Sequence, residues 1–273
     1  MELVVFDLDG TLLDSSSQIS SFTRETLVKL AQRDIAYTVA TGRTLHAARD
    51  LLHGQGFGLP QIFKNGVVIW DPDALDYSYR ACLTMSEIEH VLQAVFAQGV
   101  TPFVFTLEPG NHHAIYHSVL QTAAERRLKA DFMERNGVSV LPLSDMPADA
   151  DITNISALGE PDAILAVQRL VQDEPNLVAY TGVAMEGRAL RWIDIHHSNG
   201  SKGSAVDALR RQLGLEKVIC FGDGDNDLSM FSLADESYAP DNADAAVKAA
   251  ATAVIGHHDE DGIARFLRER FAL

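Results

Sequence analysis

Residues 3–6 (Leu-Val-Val-Phe) form an unbroken apolar run that stops at Asp7, the pattern of a short strand buried on both faces. Phe22, Thr26, Leu27 and Leu30 recur at helical spacing and predict a helix over 20–33. A strand over 35–40, a helix over 45–53 and a strand over 61–64 follow. This alternation predicts a doubly wound parallel sheet. It resumes near the C-terminus with a helix over 201–213, a strand over 217–221 and a short helix over 227–234. A strand over 236–239 and a helix over 243–251 close it.

The middle of the chain reads differently. Residues 67–201 are enough for a second domain. Thr84-Met85-Ser86-Glu87 has the form of a capping box, opening a helix that turns Ile88, Val91, Leu92 and Val95 inward. Strands are predicted over 101–107, 152–158 and 177–181, with a helix over 162–171. Trp192-Ile193-Asp194-Ile195 alternates as a half-buried strand, and 141–151, rich in Pro, Asp and Ala, reads as a loop. Asn65-Gly66, between 61–64 and 67–70, signals a hairpin.

Composition sharpens this picture at two points. A net charge of -16 argues against nucleic acid or an anionic membrane as partner, but not against a phosphorylated metabolite met through a cation. No apolar stretch approaches the roughly 20 residues that span a bilayer, and no basic leader precedes a long apolar segment. With Cys82 and Cys220 as its only cysteines, the chain is expected to be cytoplasmic with reduced thiols.

Four segments carry candidate chemistry. Asp7 and Asp9 stand two residues apart at a strand tip, where one carboxylate can attack phosphorus and the other handle the leaving-group proton. Thr41-Gly42-Arg43 offers a hydroxyl and free N–H groups to phosphoryl oxygens. Lys202 stands at a predicted helix N-terminus, where its charge opposes the dipole unless an anion lies between them. In Gly222-Asp223-Gly224-Asp225-Asn226-Asp227 the acids repel one another unless a cation neutralises them. The pairs His112-His113, His196-His197 and His257-His258 are not expected to bind metal, because adjacent side chains point apart on strand or helix.

In this order, Asp-x-Asp-Gly-Thr, Thr-Gly-Arg, Lys-Gly and Gly-Asp-x-x-Asn-Asp resemble the haloacid dehalogenase superfamily. The long insert, the segment 242–248 and Asp259-Glu260-Asp261-Gly262 are similar to its Cof-type sugar-phosphatase branch. Asp241 and Gly224-Asp225 depart from the usual pattern of that branch. The resemblance implies an α/β fold with a Rossmann-like parallel core at 1–80 and 190–273 and an α/β cap over 81–189 that chooses the substrate. It implies a magnesium-dependent phosphatase acting on small phosphomonoesters, sugar phosphates foremost, through an aspartyl-phosphate. Asp7 would be nucleophile and Asp9 acid and base. Thr41, Gly42 and Lys202 would bind phosphate, with Asn226 and Asn242 behind them. Arg43 and Asn65 would meet substrate. The Asp7 carboxylate, the Asp9 carbonyl, Asp223 and Asp227 would hold Mg2+. The competing expectations are a phosphotransferase or phosphomutase using the same intermediate, and a non-catalytic binder of phosphorylated metabolites.

Overall fold

β1 (Glu2–Phe6) is fully buried from Leu3 onward, as its apolar run requires. It begins a computed structural model that describes residues 2–134, 137–184 and 189–273. α1 (Ser21–Gln32) starts at Ser20, whose side chain accepts from the Thr23 N–H, and it buries Thr23, Thr26, Leu27 and Leu30. β2 (Ala36–Val39) and α2 (Leu45–Leu52), the latter capped by Thr44, lead to β3 (Gln61–Phe63), β4 (Val68–Asp71) and β5 (Asp76–Arg80). Next come α3 (Met85–Ala97), β6 (Thr101–Glu108), β7 (His112–His117), α4 (Ala123–Met133) and β8 (Val138–Pro142). β9 (Asp151–Gly159), α5 (Pro161–Gln172), β10 (Leu177–Val183) and β11 (Arg191–His197) follow. α6 (Lys202–Leu213), β12 (Lys217–Phe221), α7 (Leu228–Phe231) and β13 (Glu236–Pro240) come after them. The chain closes with α8 (Ala245–Ala250), β14 (Ala253–Ile255) and α9 (Gly262–Arg270).

Two compact units result, one running to Arg80 and resuming at Gly200, the other spanning Ala81–Asn199. The first is built on the parallel sheet β14-β13-β12-β1-β2. Ala205, Val206 and Leu209 of α6 pack with Leu3, Val5, Val218 and Cys220, so the helix lies on the sheet by the face its period predicts. β3 was expected to extend this sheet. It does so through a single parallel bridge, Ala40 to Ile62, and then pairs antiparallel with β4 through the expected turn at Asn65-Gly66. α7 is shorter than the predicted helix at both ends: a 3-10 turn over Asp225–Asp227 takes its first residue, and the helix stops at Phe231.

The second unit is a mixed sheet in the order β10-β11-β9-β6-β7-β8. α3 and α5 cover one face, where Ile88, Val91, Leu92, Val95, Ile164 and Val167 meet Val104, Ile155, Ile193 and Ile195. Alternate residues of the strands look the other way. There Phe132 of α4 packs on Phe103, Phe105 and Ile115. Residues 190–199, assigned to the core on sequence, belong with this unit. β11 pairs antiparallel with both β9 and β10, so its ladder bonds tie it here.

Leu209→Ala should lower the unfolding free energy by about 2–5 kcal/mol, the cost of a cavity under a fully buried leucine. Urea denaturation measures it, and a loss below about 1 kcal/mol would show that this face of α6 is not packed as described.

Candidate active site

The register of the parallel sheet decides what meets at its edge. Phe6 pairs with Phe221 on one side and Val39 on the other, so β1, β12 and β2 end level. Asp7, Gly222-Asp223 and Thr41 therefore leave three adjacent strands on one rim, the edge where open α/β sheets place ligands. The Asp7 N–H donates to the Phe221 carbonyl at 2.9 Å and continues the ladder by one bond.

Lys202 reaches this rim from the first turn of α6. It is fully buried, and its ammonium donates to Asp7 Oδ1 at 2.7 Å and Asp227 Oδ1 at 2.6 Å. The dipole conflict anticipated from sequence is thus met by two carboxylates, and the pairing raises the lysine pKa despite its burial. Asp227 is fastened on both oxygens, since its Oδ2 accepts from the N–H groups of Asp223 at 2.9 Å and Gly224 at 3.0 Å. That carboxylate folds the acidic loop around itself.

Asp7, Asp223 and Asp227 present oxygens within 4.8 Å of one another. Burial above all raises the Asp7 pKa well beyond its ordinary 3.8, and Asp227 and Asp223 add to it while Lys202 opposes. Asp223 is raised too, by burial first and then by Asp227. Three carboxylates against one ammonium leave an excess of negative charge that a divalent cation would offset. Gly10 passes close against the Asp223 carboxylate: it has φ +71°, and a Cβ there would lie 2.3 Å from Asp223 Oδ2. These hard oxygen donors suit a cation such as Mg2+. Thr11, given no role on sequence, donates to Asp223 Oδ1 at 2.9 Å and explains the threonine of the Asp-Gly-Thr segment.

The Asp9 side chain stands outside this cluster. Its two oxygens accept from Arg43 Nε at 2.7 Å and Nη2 at 2.5 Å, so Arg43, expected to meet substrate, pairs with the second carboxylate of the motif. The Thr41 hydroxyl accepts from the Arg43 N–H at 3.1 Å, and the Thr41 carbonyl accepts from Asn65 N–H at 2.9 Å. Gly42 passes so close to Asn65 that a Cβ would lie 3.0 Å from its Oδ1, which also accepts from Asn226 at 2.9 Å. Thr41, Gly42, Asn65 and Asn226 therefore form one polar group. Asn242 is spent on the loop instead: its amide donates to the Gly10 carbonyl at 2.7 Å and accepts from the His258 N–H.

His257 and His258 were expected to diverge. Their rings lie 4.8 Å apart, because a 3-10 turn rather than a regular helix or strand carries them. His258 Nδ1 is bonded to the Leu13 carbonyl at 2.7 Å, and Asp259 accepts from the Ser15 N–H at 2.7 Å. This turn thus braces the segment after Asp7–Thr11, a function that the spacing of His, Asp and Gly did not disclose. A cavity of about 660 Å³ lies elsewhere in the first unit, lined by Leu45, Arg49, Phe57 and Trp70 and by none of the clustered carboxylates.

A family profile for haloacid dehalogenase-like hydrolases matches residues 4–267. The chain belongs to this family. It is 27% identical to a 5-amino-6-(5-phospho-D-ribitylamino)uracil phosphatase of Bacillus subtilis (strain 168), over 99% of this chain and 98% of that protein. It is 24% identical to a pyridoxal phosphate phosphatase of Escherichia coli (strain K12), over 97% of both. A haloalkanoate-superfamily phosphatase from Bacteroides thetaiotaomicron has the same fold, with a TM-score of 0.81 at 18% identity, covering 100% of this chain and 96% of that one. Membership in the haloacid dehalogenase-like hydrolases and their Cof-type branch supports the expected phosphomonoester hydrolase. Among the described residues no helix is long and apolar enough to cross a membrane.

For this hydrolase the charge cluster has a thermodynamic signature. A carboxyl whose folded pKa is raised costs stability when ionised, and the cost disappears as pH falls through the raised value toward 3.8. Asp7→Asn should therefore melt higher than the parent at pH 7 in metal-free buffer, with the gap narrowing as pH is lowered toward 4. Equal melting at pH 7 would mean that Lys202 already offsets the buried charge in full.

Proposed function

We propose that the chain is a magnesium-dependent phosphatase of small phosphorylated metabolites, working through an aspartyl-phosphate on Asp7. The observation that carries this reading is the buried ion pair of Lys202 with Asp7 at the common strand rim, beside Asp223 and Asp227. Asp7 attacks phosphorus as the bond to the leaving oxygen breaks, and Asp9 gives that oxygen its proton. A water then attacks the same phosphorus, Asp9 takes its proton, and the bond to Asp7 breaks to release inorganic phosphate. Lys202 holds Asp7 in place and offers positive charge to the transferring group, with Thr41 and Gly42 supplying neutral donors. Asp7, Asp223 and the Asp9 main-chain carbonyl would hold Mg2+, with Asp227 shaping their loop. When bound, the ion supplies charge neutralisation for the phosphoryl oxygens.

Asn226 reaches the same region through Asn65, whereas Asn242 acts through the Gly10 loop. The assignment of catalysis to the first unit and choice of the organic group to the second belongs to the same proposal. Relatives that act on a ribitylaminouracil phosphate and on pyridoxal phosphate favour phosphorylated metabolites in general over sugar phosphates alone.

Hydrolysis of p-nitrophenyl phosphate with Mg2+ and with chelator tests the reading. Asp7→Asn should lower turnover by about 10³-fold or more with the fold retained by circular dichroism. Asp9→Asn should lower it by about 10²-fold or more. A merely twofold loss at Asp9 would place the proton on another group, and full activity at Asp7 would remove the nucleophile.

A further inference from the structure

The sheet of the second unit carries an unusual set of side chains on the face opposite α3 and α5. Over β6, β7 and β8 that face is apolar and packs on α4. Over β9, β11 and β10 it carries Asn154 and Ser156, then Trp192, Asp194 and His196, then Tyr180. Asp194 lies directly across from Ser156 on one side and Tyr180 on the other.

Asp194 is held but not consumed. Its Oδ1 accepts from Asn154 Nδ2 and Ser156 Oγ, each at 2.6 Å. Asn154 Nδ2 also donates to Ser156 Oγ at 3.0 Å, so the side-chain donors of Asn154 and Ser156 are spent on Oδ1 and on one another. Among the described residues no cation and no donor engages Oδ2. A half-buried carboxylate oxygen with fixed orientation and no partner is a strong acceptor waiting for a donor.

Beside it is a flat surface. Trp192 stands opposite Gly182, and a Cβ at 182 would lie 2.7 Å from the indole Cε2, Cζ2 and Nε1. The indole is therefore seated on the bare glycine backbone, while 39% of the residue stays exposed. Its N–H has no acceptor among the described residues. Tyr180 adds a second ring, 5.5 Å from that of His196. An exposed indole held rigid in this way loses little entropy on meeting a ligand.

We propose that Trp192, Tyr180 and Asp194 form a binding patch for a flat nitrogen heterocycle bearing an amino or ring N–H group. The ring stacks on Trp192, and its N–H donates to Asp194 Oδ2. A polyol fits this patch poorly. Hydroxyls act as donors and acceptors together, and the local donors of Asn154 and Ser156 are already spent on Asp194 and on one another. Binding here involves the second unit alone and does not require the first unit to hydrolyse anything.

The chain has two tryptophans, so Trp70→Phe leaves Trp192 as sole reporter. Titrating that full-length chain with cytosine should quench Trp192 emission saturably, and ribitol should neither quench nor displace it. Adding Asp194→Asn should weaken cytosine binding by at least about tenfold, the loss of one charge-assisted bond. Gly182→Val, which pushes the indole off its seat, should weaken it as well. Absence of saturable quenching, competition by ribitol at the same concentration, or an Asp194→Asn affinity within twofold of the parent would each overturn the proposal. The first two outcomes need no substitution on the patch. Hydrolysis of p-nitrophenyl phosphate by the same preparation reports separately on the phosphatase reading.

Discussion

The first unit depends on one buried ammonium. Lys202 has no exposed surface, and a charge in that position is tolerated only when compensation is close. Its partners come from places that nothing but folding brings together: Asp7 from the end of β1 and Asp227 from the loop after β12. Removing either partner changes the charge balance at the centre of the sheet rim, and removing the lysine leaves two buried carboxylates facing each other. The arrangement is therefore expensive in stability and specific in geometry. That combination is more easily understood at a reaction centre than in a structural core, where apolar residues of similar volume would serve as well.

Around that ion pair the two motif carboxylates have different environments. Burial above all, with Asp227 and Asp223 behind it, presses Asp7 toward the protonated form, an effect that Lys202 opposes. Asp9, two residues on, turns outward to a bidentate contact with Arg43. In the proposed mechanism the nucleophile must be fixed, and the proton carrier must reach both the leaving oxygen and the incoming water. The pentapeptide holds its two carboxylates in these different settings because Gly10, in the left-handed region, lets the chain turn sharply between β1 and Leu12. Arg43 limits where Asp9 can go, and each Asp9 oxygen keeps a second lone pair beside its Arg43 contact.

Much of this was legible in the sequence wherever chemistry and secondary structure coincide. Asp7, Thr41 and Asp223 each end an apolar run, and the level ends of β1, β2 and β12 place them on one rim. An anion beside Lys202 was suggested by its clash with the helix dipole, though no spacing revealed its burial or that its anions are Asp7 and Asp227. Elements went unseen where the pattern is mixed. β7 begins His-His-Ala and α4 is rich in Arg and Glu, so neither shows a clean period, and their apolar side chains matter only once Phe103, Phe105 and Phe132 meet. The boundary near 190 was misplaced because β11 is paired by backbone ladders to β9 and β10, and local composition does not report which strand is the neighbour. The convergence of His257 and His258 likewise depends on a turn, whose side-chain directions no helical or strand period describes.

The charge state of the cluster links stability, protons and cations. Protons and a divalent cation both relieve the repulsion among Asp7, Asp223 and Asp227, so each weakens the binding of the other. Lys202 relieves part of the same repulsion permanently, and by the same charge it lowers the attraction a cation would feel. The balance is set by geometry: the ammonium occupies Asp227 Oδ1 and Asp7 Oδ1, while Asp223 is held by Thr11 and carries no lysine contact. Negative charge is thereby concentrated on the Asp223 side of the rim, where Gly10 passes close against the carboxylate. A cation drawn there would meet the carboxylates that the fixed positive charge compensates least.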